Sequence, residues 1–153
     1  MMRKAFFILL TGILLLSACG NKVYDKYHHT PIAGWEKNDT LSFDIPKIEK
    51  PDKYSIDLGL RINKSFPFMN LTLIVEQTLY PGSKIFKDTI NAKLINKNGS
   101  PFGRGLGYYQ YSFHVREIEL QRRDSLHITV RHDMKHEILP GISDVGITMS
   151  AIK

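Results

Sequence analysis

Hydrophobic and polar positions alternate with a period of two along most of the chain. From Tyr54 to Ile62 every even position is apolar and every odd one is polar or glycine, as in a strand with one buried face. Leu126, Ile128 and Val130 alternate in the same way with His127, Thr129 and Arg131, and Val145, Ile147, Met149 and Ala151 with Gly146, Thr148 and Ser150. The pattern predicts further strands at Thr40–Ile45, Leu71–Leu79, Thr89–Ile95 and Tyr108–Val115, with a weaker one at Arg116–Leu120. Pro46 and Pro51 bracket a loop, Pro81-Gly82-Ser83 reads as a turn, and Lys97-Asn98-Gly99-Ser100-Pro101 carries an Asn-Gly turn. No segment sustains a helical stripe. About eight short antiparallel strands with this punctuation predict an all-β chain, a single β-sandwich of jelly-roll type. Residues 35–153 form that domain, with Trp35 as its first packed residue. Residues 19–34 are polar and aperiodic, with Pro31 and Gly34 near their end, and are predicted to be a flexible tether.

The chain opens on a basic head, Met1-Met2-Arg3-Lys4, followed by the apolar run Ala5–Leu16. That run falls short of the roughly 20 residues a membrane span needs, so residues 1–18 read as a cleaved signal peptide. It ends in Leu16-Ser17-Ala18-Cys19, the form of a bacterial lipobox. Small residues admit the strand to a narrow peptidase site, and the Cys19 thiol takes the lipid. An ordinary signal peptide with a chance cysteine, or a short anchor helix, are the alternatives. The lipoprotein reading is favoured because the only cysteine of the chain stands at the one position a lipobox requires. Acylation on sulfur and amine (palmitate among the usual chains) gives the two anchors that hold a protein stably to a membrane. Gly20-Asn21-Lys22 supplies neither an aspartate of the inner-membrane retention type nor an acidic export cluster, so the outer membrane, facing the periplasm, is expected.

Length and charge narrow the class without naming a chemistry. A chain of 153 residues favours one domain. One cysteine excludes a disulfide framework and a thiolate zinc site. The formal charge of +6 is scattered rather than run together, and with an exported address no nucleic-acid partner is expected. His132 and His136 have the i, i+4 spacing of a helix-borne metal site, but on a strand they stand far apart; His28 and His29 point oppositely on extended chain. They read as surface histidines, with no metal and no cofactor. Gly103-Arg104-Gly105-Leu106-Gly107 lacks the Gly-Lys-Ser/Thr ending and the following helix of a phosphate loop, and reads as a turn or bulge. No Gly-x-Ser-x-Gly elbow appears, so no hydrolase nucleophile is visible. Asp39-Thr40-Leu41, Asp88-Thr89-Ile90 and Asp124-Ser125-Leu126 match an Asp-Ser/Thr-aliphatic O-glycosylation pattern, making Thr40, Thr89 and Ser125 candidates. They also suit turn-to-strand junctions. The exposed-aromatic candidates for partner contact are Phe68, Tyr108, Tyr109 and Tyr111, with cross-strand packing as the alternative.

These pieces together resemble the gliding-motility lipoprotein GldH family. The matching residues run from Cys19 through Trp35, Asp39, Phe43, Tyr54, Leu58, Leu60 and Arg61 to Phe66-Pro67-Phe68-Met69-Asn70-Leu71. Asp88-Thr89-Ile90, Leu94, Asn98-Gly99 and Gly103-Arg104-Gly105 continue them, and His132-Asp133-Met134 and Leu139-Pro140-Gly141-Ile142-Ser143-Asp144-Val145-Gly146-Ile147 close the chain. Phe102 stands where the family pattern has tryptophan. The resemblance implies a non-enzymatic outer-membrane lipoprotein, an accessory or scaffold component of the gliding-motility and type IX secretion envelope machinery, with a protein partner in an envelope complex. It carries over Cys19 as the lipid site and no catalytic residue; Arg61, Asn70 and Asp144 are shared and equally suit a structural role. A carbohydrate- or peptidoglycan-binding sandwich is the alternative.

Overall fold

The computed structural model describes residues 20–153; the expected signal peptide and lipid site, residues 1–19, lie outside the described residues. Ten strands form two four-stranded antiparallel sheets and one short ribbon. The first sheet has the order β1 (Lys22–His29), β10 (Ile142–Ala151), β4 (Asp52–Asn63), β7 (Tyr108–Leu120). The second runs β3 (Leu41–Ile45), β8 (Ser125–His132), β5 (Asn70–Tyr80), β6 (Lys84–Lys93). The ribbon pairs β2 (Trp35–Glu36) with β9 (Ile138–Leu139). With the ribbon set aside, the eight long strands lie as first-eighth-third-sixth over second-seventh-fourth-fifth. That is the jelly-roll order.

The core follows from the alternation. Tyr54, Ile56, Leu58, Leu60 and Ile62 of β4, with Val145, Ile147 and Met149 of β10, face Leu71, Leu73 and Val75 of β5 and Leu126, Ile128 and Val130 of β8, all buried. Each such side chain contributes roughly 1.5–3 kcal/mol by leaving water. Trp35 is fully buried against them, its indole N–H donating to the Asp39 carbonyl at 2.8 Å.

Two elements differ from the sequence reading. Residues 19–34 were expected to be a tether from which nothing packs, yet Lys22–His29 form β1, paired with β10 from Lys22↔Ser150 to His29↔Asp144. Tyr24, not Trp35, is the first buried hydrophobic among the described residues. The alternation is hidden because β1 is an edge strand: its inward side carries Lys26 and His28 beside Tyr24, and edge strands hold charge on both faces. The two segments expected at Tyr108–Val115 and Arg116–Leu120 are one strand, β7, interrupted by a bulge opposite Ile56 and Asp57. Val115 is the extra residue; beyond it the inward parity changes from odd (Tyr111) to even (Ile118, Leu120).

The bulge also turns Arg116 inward, where its Nε and Nη2 donate to the two carboxylate oxygens of Asp88 on β6 at 2.7 and 2.9 Å. Gln77, fully buried on β5, donates its Nε2 to the same carboxylate at 3.1 Å, and the Arg116 guanidinium stands 4.4 Å from the Phe86 ring centre. This group joins the free edges of the two sheets. The Arg116 hydrogen bond holds the Asp88 carboxyl below its ordinary range; burial opposes this and Gln77 adds to it. A depressed carboxyl stabilises the fold above its unfolded pKa, and that stability is lost as pH falls through the folded value. Asp88→Ala leaves the half-buried Arg116 guanidinium without its carboxylate, while buried Gln77 Nε2 keeps only the Val75 carbonyl, at 3.2 Å. It should lower the unfolding free energy by about 2 kcal/mol in urea titrations at neutral pH, the difference from wild type narrowing in acid.

Candidate contact surface

The strands place loops at two opposite ends. One end carries residues 46–51, 81–83 and 121–124 and the C-terminus, because Ile45 pairs with Leu126, Asp52 with Leu120 and Tyr80 with Ser125. The other carries residues 30–40, 64–69, 94–107 and 133–141. Apolar exposure is heaviest at this second end, with Val23, Tyr80 and Ile85 exposed at the first. Met69, Phe102, Leu106 and Tyr108 are 46%, 60%, 95% and 54% exposed, which is more than packing permits for a core residue.

Local turn chemistry holds these side chains out. The Asn96 side chain accepts from the amides of Asn98 and Ser100 at 2.8 and 3.0 Å, and its own amide donates to the Ser100 carbonyl at 2.8 Å. Gly99 takes a φ of +81°, which glycine adopts without strain. Phe102 is fixed by its amide donating to Leu94 at 2.9 Å, and a second turn closes where Arg104 and Gln110 exchange backbone bonds of 3.1 and 2.8 Å. A side chain at Gly105 would meet the Tyr108 carbonyl at 2.0 Å. The Met69 carbonyl accepts from Leu94 and Ile95, tying the 64–69 corner to the same loop. Met69 and Phe102 line one cleft of about 440 Å³ with Lys93 and Lys97. No carboxylate occurs between Asp57 and Glu76 or between Asp88 and Glu117, whereas Lys64, Lys93, Lys97 and Arg104 do. On loops 64–69 and 94–107 the surface is apolar with cations beside it, while the other two loops of this end carry the exposed carboxylates Glu36, Asp39, Asp133 and Glu137.

Of the four aromatics expected to contact a partner, Tyr108 is exposed there. Tyr109 is half-buried beside Phe66, Leu94 and Pro101, and Phe68 is half-buried, its ring 5.5 Å from Phe66 and 4.7 Å from His136. Tyr111 is buried, its hydroxyl donating to the Leu94 carbonyl at 2.9 Å; it belongs to the core, because it pairs with inward Leu60 and cross-strand partners share a face. Met69, Phe102 and Leu106 were missed. They sit in turns, where periodicity says nothing about side-chain direction.

The outer face of the first sheet gathers polar groups. Tyr27 lies across Gly146 and Gly59, so close that a Cβ at either would meet its ring or hydroxyl within 2.6 Å. The Arg61 guanidinium stacks 4.3 Å above that ring, with Nη1 3.8 Å from Oδ2 of buried Asp144. His29 lies against the other Asp144 oxygen, without hydrogen-bond alignment. These links hold β1, β10 and β4 together.

Residues 22–149 match the GldH lipoprotein family. The chain belongs to that family. It is 33% identical over 147 residues to the gliding motility lipoprotein GldH of Flavobacterium johnsoniae, covering 91% of each chain. It is 29% identical over 157 residues to the GldH homolog of Christiangramia forsetii, covering 95% of each. Likeness to solved structures is looser: PRD1 vertex protein P5 is 13% identical with a TM-score of 0.47, over 88% of this chain and 99% of that one. The relatives are named as lipoproteins rather than as enzymes.

Chemistry-bearing side chains of this GldH-family chain have structural partners. Ser55, His114 and Asp57 approach one another, but both Ser55 and Asp57 address His114 Nδ1, at 3.1 and 3.2 Å; a relay needs them on opposite nitrogens. No group of three or more His, Cys, Asp or Glu among the described residues is placed to hold a metal. Thr40 is exposed in the loop before β3, Thr89 is exposed on edge strand β6, and Ser125 is half-buried at the start of β8. His132, read from sequence as a surface residue, is fully buried, because it continues the inward register of Leu126, Ile128 and Val130. Its Nε2 bonds the Trp35 carbonyl at 3.1 Å and its Nδ1 accepts from the Met134 amide at 3.5 Å. The carbonyl only accepts, so Nε2 carries a proton, and Nδ1, which accepts from Met134, carries none; in this pattern the ring is the neutral Nε2–H tautomer. Burial pushes its pKa down, the Trp35 bond opposing. Protons therefore bind the unfolded chain more readily. His132 should make stability fall as pH drops through the ordinary histidine range, and His132→Gln should flatten that slope in pH-dependent urea melts.

Proposed function

We propose that this chain is an outer-membrane lipoprotein, facing the periplasm and anchored through Cys19, that serves the gliding-motility and type IX secretion envelope machinery as a non-enzymatic accessory or scaffold subunit. The names of its relatives and the lipobox support the setting. The observation that carries the mode of action is the exposed apolar surface formed by Met69, Phe102, Leu106 and Tyr108, with Lys93 and Lys97 beside it. Exposed aromatic and aliphatic anchors of this kind, rimmed by charge, characterise protein interfaces. The contact is with an envelope partner that brings its own apolar and acidic side chains. Among the three Asp-Ser/Thr motifs, the exposed loop position of Thr40 best supports O-glycosylation.

A second reading has one observation in its favour. An open cleft of about 610 Å³ is lined by Phe102, Arg104, Gln110, Tyr111, Ser112 and Phe113, a size that suits a saccharide, and Tyr111 and Phe113 stand parallel within 8°. Binding to purified peptidoglycan fragments would favour it.

The contact reading is tested by purifying the native protein from envelopes with its partners. Replacing Phe102, Leu106 and Tyr108 together by alanine should cut partner recovery at least about tenfold, since a single interface anchor is often worth 2 kcal/mol or more. The circular dichroism spectrum should not change, because none of the three is buried. Undiminished recovery would move the contact elsewhere.

A further inference from the structure

The end opposite the contact surface is the end that carries the lipid, and almost no chain lies between them. The Ala151 amide donates to the Asn21 carbonyl at 2.8 Å, so the sheet is already engaged at Asn21. Only Gly20 separates that residue from Cys19. At a reach of at most about 3.6 Å per residue, the acyl-bearing residue lies within about 7 Å of the sandwich. A tether of fifteen residues would leave orientation free; this attachment does not.

The surface around it is cationic. Lys47, Lys50, Lys84, Arg122, Arg123 and Lys153 are exposed on the loops and strand ends of this base. Among the described residues, all of these except Lys50 make no ion pair, and Lys50 approaches Asp52 only to 3.9 Å. Besides Asp52, four carboxylates share the base: Asp44 against His127, Asp124 accepting from the Gln121 amide at 2.8 Å, and the exposed Glu49 and Glu119, so the six cations outnumber five carboxylates. The balance is positive at the place where the chain must meet headgroups.

We propose that this basic base seats on the phosphates of the bilayer holding the lipid, so that the sandwich stands upright and its apolar end projects away from the membrane. The proposal rests on the lipoprotein reading of Cys19. A single short attachment permits tilting. Tilting lifts cations beyond the screening length of about 8–10 Å and forfeits their attraction to anionic lipid. Twelve residues of β4 span the distance between the two ends, about 40 Å of extended strand. The contact surface is thereby held out of reach of its own bilayer and presented to a partner in the space beyond.

The test uses the acylated mature protein reconstituted in vesicles of phosphatidylcholine with phosphatidylglycerol. Cys19 is consumed by lipid, so a fluorophore can be placed at one new cysteine: Gly82→Cys on the base, where nothing stands within 4 Å, or Leu106→Cys at the far end. With a quencher attached to lipid headgroups, the Gly82 label should be quenched roughly fivefold more than the Leu106 label. Replacing Lys47, Lys50 and Arg122 by glutamate should reduce Gly82 quenching about threefold, and in pure phosphatidylcholine hardly at all. The corresponding glutamine variant serves if the glutamate one does not fold. Equal quenching of the two labels, or no response to charge, overturns the seating while leaving the anchor intact. Protein that fails to float with vesicles overturns the anchor itself.

Discussion

The antiparallel pairing of β1 with β10 is the constraint on which the rest of the structure depends. It joins the first strand of the chain to the last, and β10 then pairs with β4 along Ile142–Ala151. A jelly roll closes only when its terminal strands meet in this way, which makes its contacts strongly non-local. The same pairing brings the start and the end of the described residues, Gly20 and Lys153, to one end of the sandwich. Every distinction drawn above between base and far end follows from it. Tyr27 lying across Gly59 and Gly146, with Arg61 above it and Asp144 beside, reinforces this junction from the outer face.

The buried polar groups serve the fold. Gln77 and Asp88 meet Arg116 where the second sheet closes onto β7, and His132 bonds the strand that carries Trp35. Each has a partner, Gln77 through Nε2 while its buried Oε1 makes no hydrogen bond, and the directions in which Asp88 and His132 are shifted follow from those partners and from burial. The exposed groups are of another kind. Phe102, Leu106 and Tyr108 gain nothing from the fold that their exposure would explain, and strict turn geometry keeps them out in water. Exposed apolar side chains on a fixed scaffold are what supports the proposed contact role.

Most of the fold was legible because strands with one buried face announce themselves by period two. Leu58 and Leu60, or Ile128 and Val130, could be assigned to a core without knowing their partners. β1 was not legible. Its inward positions include Lys26 and His28, tolerated only because an edge strand leaves their ends in solvent. β7 was split at Val115, where the bulge changes parity. The exposed apolar surface was half legible: Tyr108 was read as exposed and is, but Tyr111 could be assigned to the core only through its register with Leu60. Phe102 and Leu106 depend on turns whose geometry no alternation encodes. His132 looked like one half of a metal pair and proved to be a buried strand residue bonded to a carbonyl.

Hydrogen exchange of the β1 amides in the membrane-anchored protein tests the central claim most directly. If β1 is part of the sandwich, the amides between Tyr24 and His29 that bond β10 exchange as slowly as those of β4, near the global unfolding limit. Exchange of all of them at the rate of free chain would mean that Lys22–His29 is a tether after all. The linkerless anchor and the upright sandwich would then fall with it.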